Sequence, residues 1–202
     1  MGVDPESQVW DPGGDESTAP SPTLSFAGAV GSGSTENVLA RHGLVPVWET
    51  NSSGACQYSG VAHALFGDAT LHHRVRRVVV TELSENRERY LHFPELDGDG
   101  VPMWDPAVEG SYDAFVVRAA SPSEHGNNVT LAAASWAFRR PIRVIVAGAA
   151  NVVDIVTPGS SGSRVTLGYE PEVAGVHAGH YLGTDAAPTC GAEAVAAAAA
   201  AG

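Results

Sequence analysis

The chain has 202 residues, and its 23 acidic and 11 basic side chains give a net charge of −12 with histidine neutral. Nucleic acids and anionic membranes are bound through clustered lysine and arginine, so this charge argues against both as partners. Hydrophobic residues make up 44% of the chain, which is enough for the core of one globular domain. We expect a monomer whose acidic surface would suit a basic protein partner.

Two cysteines, Cys56 and Cys190, are too few for a disulfide framework. A reducing compartment is therefore predicted, either the cytoplasm or a host cytosol into which the protein is delivered. The first residues lack the basic start and apolar run of a secretory signal. No stretch of the sequence is apolar for long enough to predict a membrane span.

Composition divides the chain into three parts. Residues 1–34 are rich in Pro, Gly, Ser and acidic residues, which predicts a disordered segment. Residues 35–185 hold the periodic apolar patterns and are predicted to form the domain. Residues 186–202 are an Ala-rich tail of low complexity.

The first half of the predicted domain is mainly helical. A short apolar run at 45–48 separates two of its three predicted helices, and Ser34, Asp68 and Gly67 have the residue types of helix caps and stops. The three helices are expected at 35–42, 56–66 and 70–92 from apolar residues at helical spacing.

The second half changes from helices to strands. Pro, Gly and acidic residues predict a loop at 94–110. Helices follow at 111–119 and 129–138, the latter capped by Asn127 or Asn128. The remaining segments are β-branched strands at 142–147, 152–157 and 164–169, with a last short run around His180 and Tyr181. Helices first and strands later indicate an α+β fold.

Cys56 follows a polar loop with a glycine and opens a predicted helix. The unpaired N–H groups and the positive end of the helix dipole at such a position favour a thiolate, the nucleophilic form. The same N–H groups could hold an oxyanion. A buried, inert cysteine is the alternative interpretation.

His180 lies late in the chain, in the segment His177-Ala-Gly-His180-Tyr181. A cysteine near the start and a histidine near the end is an arrangement of cysteine proteases, in which the two meet in space. A half-buried histidine at the edge of a strand is the alternative.

Metal sites are not predicted. His72 and His73 are adjacent, so they cannot share a helix face, and His177 and His180 lack further ligands nearby in sequence. The run that starts at Asp97 begins like a calcium loop but lacks its closing glutamate. We expect neither a metal nor another cofactor.

Several blocks in chain order resemble the ovarian tumour (OTU) family of cysteine proteases. The segment Ser53-Gly-Ala-Cys56-Gln-Tyr58 resembles the family's Asp-Gly-Asn-Cys-Leu-Phe block. Four later blocks are also similar, namely the Arg-containing helix from Val75 to Tyr90, His125-Gly-Asn-Asn at a helix start, Pro141-Ile-Arg-Val, and Gly179-His180-Tyr181. The resemblance covers residues 35–185.

This resemblance implies a papain-like α+β fold of the OTU type, with a small central β-sheet flanked by helices. It implies a deubiquitinase that cleaves isopeptide bonds after the C-terminus of ubiquitin or a ubiquitin-like protein. Cys56 would be the nucleophile and His180 the base, with backbone N–H groups of Gly54, Ala55 and Cys56 as the oxyanion hole.

The sequence departs from the family at the third catalytic group. Many members have Asp three residues before the cysteine, where this chain has Ser53, and Asp or Asn two residues after the histidine, where it has Leu182. Asn51, Ser53 and Asp185 are the candidates nearby. Two alternatives stay open: a weak or inactive OTU module that binds ubiquitin, and a cysteine protease of another substrate.

Overall fold

The computed structural model describes residues 34–47, 54–91, 110–147, 152–171 and 179–187. The predicted disordered start and the Ala-rich tail lie outside these residues, as do most of the predicted loop at 94–110 and Cys190. The described residues form helices packed against one five-stranded sheet, so the predicted α+β class is confirmed.

The helices begin and end at the residues that cap them. Ser34 caps α1 by accepting a hydrogen bond from the Asn37 N–H, and Gly67 ends α2 in the left-handed conformation. Asn127 caps α6 in a capping box with Thr130. The α-helices of the described residues are α1 (Thr35–Arg41), α2 (Cys56–Phe66), α3 (His72–Glu85), α4 (Arg87–Leu91), α5 (Tyr112–Ala119) and α6 (Asn128–Phe138).

The prediction of one continuous helix at 70–92 is wrong, because the structure has a 3₁₀ turn and two helices there. Asp68 caps a short 3₁₀ turn at Ala69–Leu71, and the chain then breaks at Asn86 between α3 and α4. The Glu82 carboxylate holds this break together, because it accepts hydrogen bonds from Asn86, Arg89 and Tyr90. The apolar spacing continues across the break, so the sequence pattern did not reveal it.

The sheet is mixed and joins distant parts of the chain. Its order is β1-β5-β4-β2-β3, and all neighbours are antiparallel except β2 and β4, which are parallel. The apolar run predicted at 45–48 corresponds to the first strand over its described residues, 45–47. The strands are β1 (Leu44–Val47), β2 (Ile142–Val146), β3 (Val152–Ile155), β4 (Val165–Glu170) and β5 (His180–Ala186).

The two faces of the sheet are covered unequally. The main core includes buried residues of α2, α3, α5, α6 and the sheet. A smaller cluster forms where Val38 and Leu39 of α1 meet Ile145 of β2. Helix α2 packs on one face of the sheet, mainly against β5, and α1 packs on the other face against β2 and the central strand β4, where Leu39 approaches Gly168.

Candidate active site

Cys56 is the first residue of α2, as predicted, and it is 2% exposed. Ala55 precedes it as the N-cap and has no side chain that could cap the helix. The first N–H groups of any helix have no partner within that helix. The backbone that leads into α2 must therefore be positioned by contacts from elsewhere in the molecule.

Gly54 provides one of these contacts through its backbone. Its φ of +82° is in the left-handed region, which a glycine adopts at little cost. A methyl group at this position would lie 2.3 Å from the Ser123 carbonyl oxygen. The loop between α5 and α6 thus packs directly on the backbone before Cys56, and it leaves no room for a side chain at position 54.

Arg76 provides the other contact. Arg76 is a buried residue, and its guanidinium donates to the carbonyl oxygen of Gly54 at 3.0 Å. It also donates to three carbonyl oxygens at and after the end of α5, those of Ala119 at 2.9 Å, Pro122 at 3.4 Å and Glu124 at 2.9 Å. One cation on α3 therefore joins the entry to α2 to the 119–124 segment.

The charge of Arg76 also acts on the start of α2. Burial lowers the pKa of Arg76, and negative charge at Tyr58, Glu124 and Cys56 works in the opposite direction. The guanidinium carbon lies 3.9 Å from the centre of the Tyr58 ring, within the range of a cation–π interaction. A negative charge on Cys56 and the Arg76 guanidinium would attract each other.

Gln57 is a buried polar residue that connects three elements. Its side-chain amide donates to the Asn127 carbonyl oxygen at 3.1 Å and accepts from the Thr130 hydroxyl at 2.7 Å, both at the start of α6. The Gln57 side chain also interacts with Tyr181 of β5, where it lowers the pKa of the phenol against the larger effect of burial. A methyl group at Gly126 would lie 2.1 Å from the Gln57 amide oxygen, so Gly126 leaves the space that this side chain fills.

Two further contacts align α2 with β5. At Gly60 a methyl group would lie 2.9 Å from a Leu167 methyl and 3.3 Å from the Gly183 nitrogen, so the helix lies close against the strand. Farther along, His63 Nε2 lies 2.7 Å from the Asp185 carboxylate. These contacts show that α2 and β5 run in the same direction.

Cys56 and His180 occupy the same end of this helix–strand pair. The contact of Gln57 with Tyr181 is the first of the aligned contacts, and Cys56 and His180 each come one residue earlier in their elements. Tyr181 stacks on Tyr169 of β4 with ring centres 4.6 Å apart, and burial raises the pKa of the Tyr181 phenol. The tyrosine pair thus fixes the start of β5.

The candidates for a third group have different positions. Asn51 and Ser53 lie outside the described residues. Asp185 lies five residues along β5 from His180, a separation of about 17 Å in a strand, and its carboxylate contacts His63 instead. The structure does not bring Asp185 to His180. Leu182 is fully buried beside Gly168.

Arg76 and Gln57 were not singled out from the sequence. Arg76 lies three residues before Val79 and seven before Leu83, so it shares the apolar face of α3, and an arginine on such a face is a signal of a buried charge. Gln57 carries no comparable signal, because its partners come from α6 and β5.

Within the ranges that the structure describes, no group of three or more His, Cys, Asp or Glu side chains is placed to hold a metal ion. In the same ranges, no helix combines the length and the apolar character that crossing a membrane requires.

The chain is similar in sequence to a plant deubiquitinase. It is 30% identical over 107 residues to ovarian tumor domain-containing deubiquitinating enzyme 11 of Arabidopsis thaliana. The similar segment covers 53% of this chain and 38% of that protein, so the chain spans well under half of the relative's length. No protein-family model matches the chain.

Solved structures of OTU domains share its fold at low sequence identity. The OTU domain of OTUD1 has a TM-score of 0.55 and 16% identity, covering 74% of this chain and 91% of that domain. The viral OTU protease of Farallon virus has a TM-score of 0.54 and 10% identity, with 83% and 94% covered. The Hazara virus OTU, solved bound to ubiquitin, has a TM-score of 0.52 and 13% identity, with 90% and 96% covered. The predicted OTU-type fold is confirmed.

Proposed function

We propose that this chain, an OTU-family protein, is a thiol-dependent hydrolase that cleaves isopeptide bonds after the C-terminus of ubiquitin, with Cys56 as nucleophile and His180 as general base. The observation that carries the proposal is the alignment of α2 with β5, in which Gln57 contacts Tyr181. Each proposed catalytic residue is the immediate predecessor of one member of that contact.

The reaction would proceed in two halves. His180 takes the proton of the Cys56 thiol, and the thiolate attacks the carbonyl carbon of the scissile bond. The C–N bond then breaks, His180 gives its proton to the leaving lysine amine, and a thioester forms on Cys56. Water activated by His180 hydrolyses the thioester, which releases the ubiquitin carboxylate and restores the thiol.

The oxyanion of each half-reaction would be held by backbone N–H groups of Gly54, Ala55 and Cys56. Such donors accelerate a reaction when they are positioned before the charge develops. Two contacts support this role: Arg76 binds the Gly54 carbonyl oxygen, and the backbone at Ser123 packs on Gly54. Both hold the proposed donors without using a side chain of the loop itself.

A second candidate function is ubiquitin binding without turnover. The observations that favour it are the 2% exposure of Cys56 and the buried Leu182 at the position where many family members have Asp or Asn. In this second function Cys56 stays as buried with ubiquitin bound as it is without it. The two functions therefore differ in whether ubiquitin binding exposes this thiol.

Hydrolysis of a fluorogenic amide of the ubiquitin C-terminus tests the proposal. We expect turnover by the full chain, and a loss of at least about 100-fold in Cys56→Ala and in His180→Gln, because each removes a group that takes part in bond breaking. Cys190→Ala and His42→Gln are the matched controls and should keep full activity. A folded wild-type chain that binds ubiquitin without turnover would establish the second candidate instead.

A further inference from the structure

Glu170 lies directly opposite His180 in the sheet. The two residues are partners in the antiparallel register of β4 and β5. Side chains of directly opposite residues project from the same face of a sheet, with Cβ atoms about 5 Å apart. A glutamate at this position can therefore bring its carboxylate to the imidazole of His180.

Thr35, the first residue of α1, holds the Glu170 carboxylate. The buried Thr35 hydroxyl donates to Glu170 Oε1 at 2.5 Å. A carboxylate has about four acceptor positions, so this bond leaves capacity for an imidazole N–H. The glutamate is thus tied to α1 through its side chain, and its backbone is paired with that of His180.

The contacts next to this pair keep the two strands in register. Tyr169 and Tyr181, the neighbours of Glu170 and His180, stack on each other. A methyl group at Gly179 would lie 2.3 Å from the Tyr169 hydroxyl oxygen, so the chain enters β5 in close contact with that ring. Slippage of one strand would break both contacts, and the separation of Glu170 and His180 is fixed as a result.

We infer that Glu170 is the positioning residue that orients His180, in place of the acid or amide that many OTU proteases carry two residues after the histidine. The inference rests on the proposed function and deepens it. A carboxylate that accepts the second imidazole N–H fixes the tautomer that can take the thiol proton, and it stabilises the imidazolium that then forms. Thr35 would in turn fix the carboxylate.

Other charged groups lie on the elements around this end of β5, and one of them provides a control for the loss of the Glu170 charge. Among the described residues, the other titratable side chains on the elements next to His180 are Tyr169 and Glu170 on β4, Tyr181 and Asp185 on β5, Glu36 and Arg41 on α1, and Cys56, Tyr58 and His63 on α2. Arg76 of α3 lies against the start of α2. Glu36 is exposed and adjoins Thr35, so Glu36→Gln removes one negative charge nearby without touching the proposed pair.

The direct test is an NMR titration of His180 in the full chain with labelled histidine. The Cys56→Ala background removes coupling to the thiol, and His180→Gln identifies the ring signal among the eight histidines. We expect Glu170→Gln to move the midpoint of the His180 titration down by about one pH unit, because a carboxylate at this distance favours the protonated ring. Glu36→Gln should leave the midpoint within about 0.2 pH unit, since an exposed charge is screened.

Steady-state kinetics of the same variants provide a second test. With Cys56 present, Glu170→Gln should lower kcat by about 10- to 100-fold while KM stays within about twofold, because a positioning group acts on the chemical step. Thr35→Val should lower kcat less, and Thr35→Ser, which keeps the hydroxyl, should restore it. If Glu170→Gln does not fold, comparing kcat of Thr35→Val and Thr35→Ser tests the role of the carboxylate in a chain that keeps Glu170.

The outcomes separate this inference from the proposed function. An unchanged His180 midpoint in Glu170→Gln, with normal turnover, overturns the role of Glu170 and leaves the hydrolase intact. A shifted midpoint in a chain that never turns over ubiquitin substrates supports the pairing and overturns the hydrolase. Equal kcat in Thr35→Val and Thr35→Ser would count against the Thr35 contact.

Discussion

The two ends of α2 are held in different ways. Before Cys56 the backbone of Gly54 touches the backbone of Ser123, and the buried Arg76 binds the Gly54 carbonyl oxygen. After Phe66 the helix ends at Gly67, where an added methyl group would meet nothing within 4 Å. Both glycines have a positive φ, yet only the one at the candidate site is enclosed. Of the two ends of α2, the fold therefore encloses the backbone at the end where the proposed chemistry needs fixed N–H donors.

The largest expected effect comes from breaking the enclosed end at Arg76. Arg76→Met keeps the length of the side chain but leaves its backbone carbonyl partners without their charged donor. We expect the free energy of unfolding to fall by about 4 kcal/mol, in the range for removing one partner of a buried charged network. Urea unfolding followed by circular dichroism measures this loss.

Arg77→Met is the matched control for Arg76, because it removes the exposed neighbouring arginine of the same helix. We expect its free energy of unfolding to stay within about 0.5 kcal/mol of wild type. Equal losses in the two variants would show that the buried contacts of Arg76 are not what holds the start of α2.

The two glycines themselves give a sharper comparison of intermediate size. Gly67→Ala should cost about 1 kcal/mol, the strain of an alanine in the left-handed region. Gly54→Ala carries the same strain and also forces the alanine methyl against the Ser123 carbonyl oxygen, so we expect about 3 kcal/mol. Unfolding measurements on both variants test the difference, and hydrolase assays should show activity lost mainly in Gly54→Ala. A similar cost at both positions would contradict the comparison.

The smallest effect is expected at the contact between His63 and Asp185. The Asp185 side chain is 57% exposed, so Asp185→Asn should change the free energy of unfolding by no more than about 0.5 kcal/mol. Turnover of the ubiquitin substrate should also be unchanged, because Asp185 is remote from His180 along β5. If this variant lost kcat while Glu170→Gln kept it, then Asp185 and not Glu170 would support the histidine.

Local signals in the sequence were sufficient for the start and end of α2. The glycine at 67 and the apolar spacing of 56–66 predicted both ends of the helix, and so placed Cys56 at its first residue. Asn127 or Asn128 was predicted in the same way as the cap of α6, and Asn127 is the cap in the structure. Each of these signals lies within a few residues of the structure that it determines, and for this reason a single sequence reveals it.

The groups that support the site depend instead on distant contacts. Arg76 binds carbonyl oxygens 43 and 48 residues away in the chain, and Glu170 lies opposite His180 through the register of two strands. No spacing in the sequence encodes that register before the sheet is assembled. The sequence around Cys56 and His180 therefore indicated Asn51, Ser53 and Asp185 as candidates for a third group, and not Glu170.

The close approach of α2 to β5 at Gly60 has a mechanical consequence. With no side chain between helix and strand, this point acts as a fulcrum. Cys56 lies four residues before it and His63 three residues after it, which makes lever arms of about 6 Å and 4.5 Å on a rigid helix. A tilt of α2 about Gly60 would therefore move the Cys56 and His63 side chains in opposite directions.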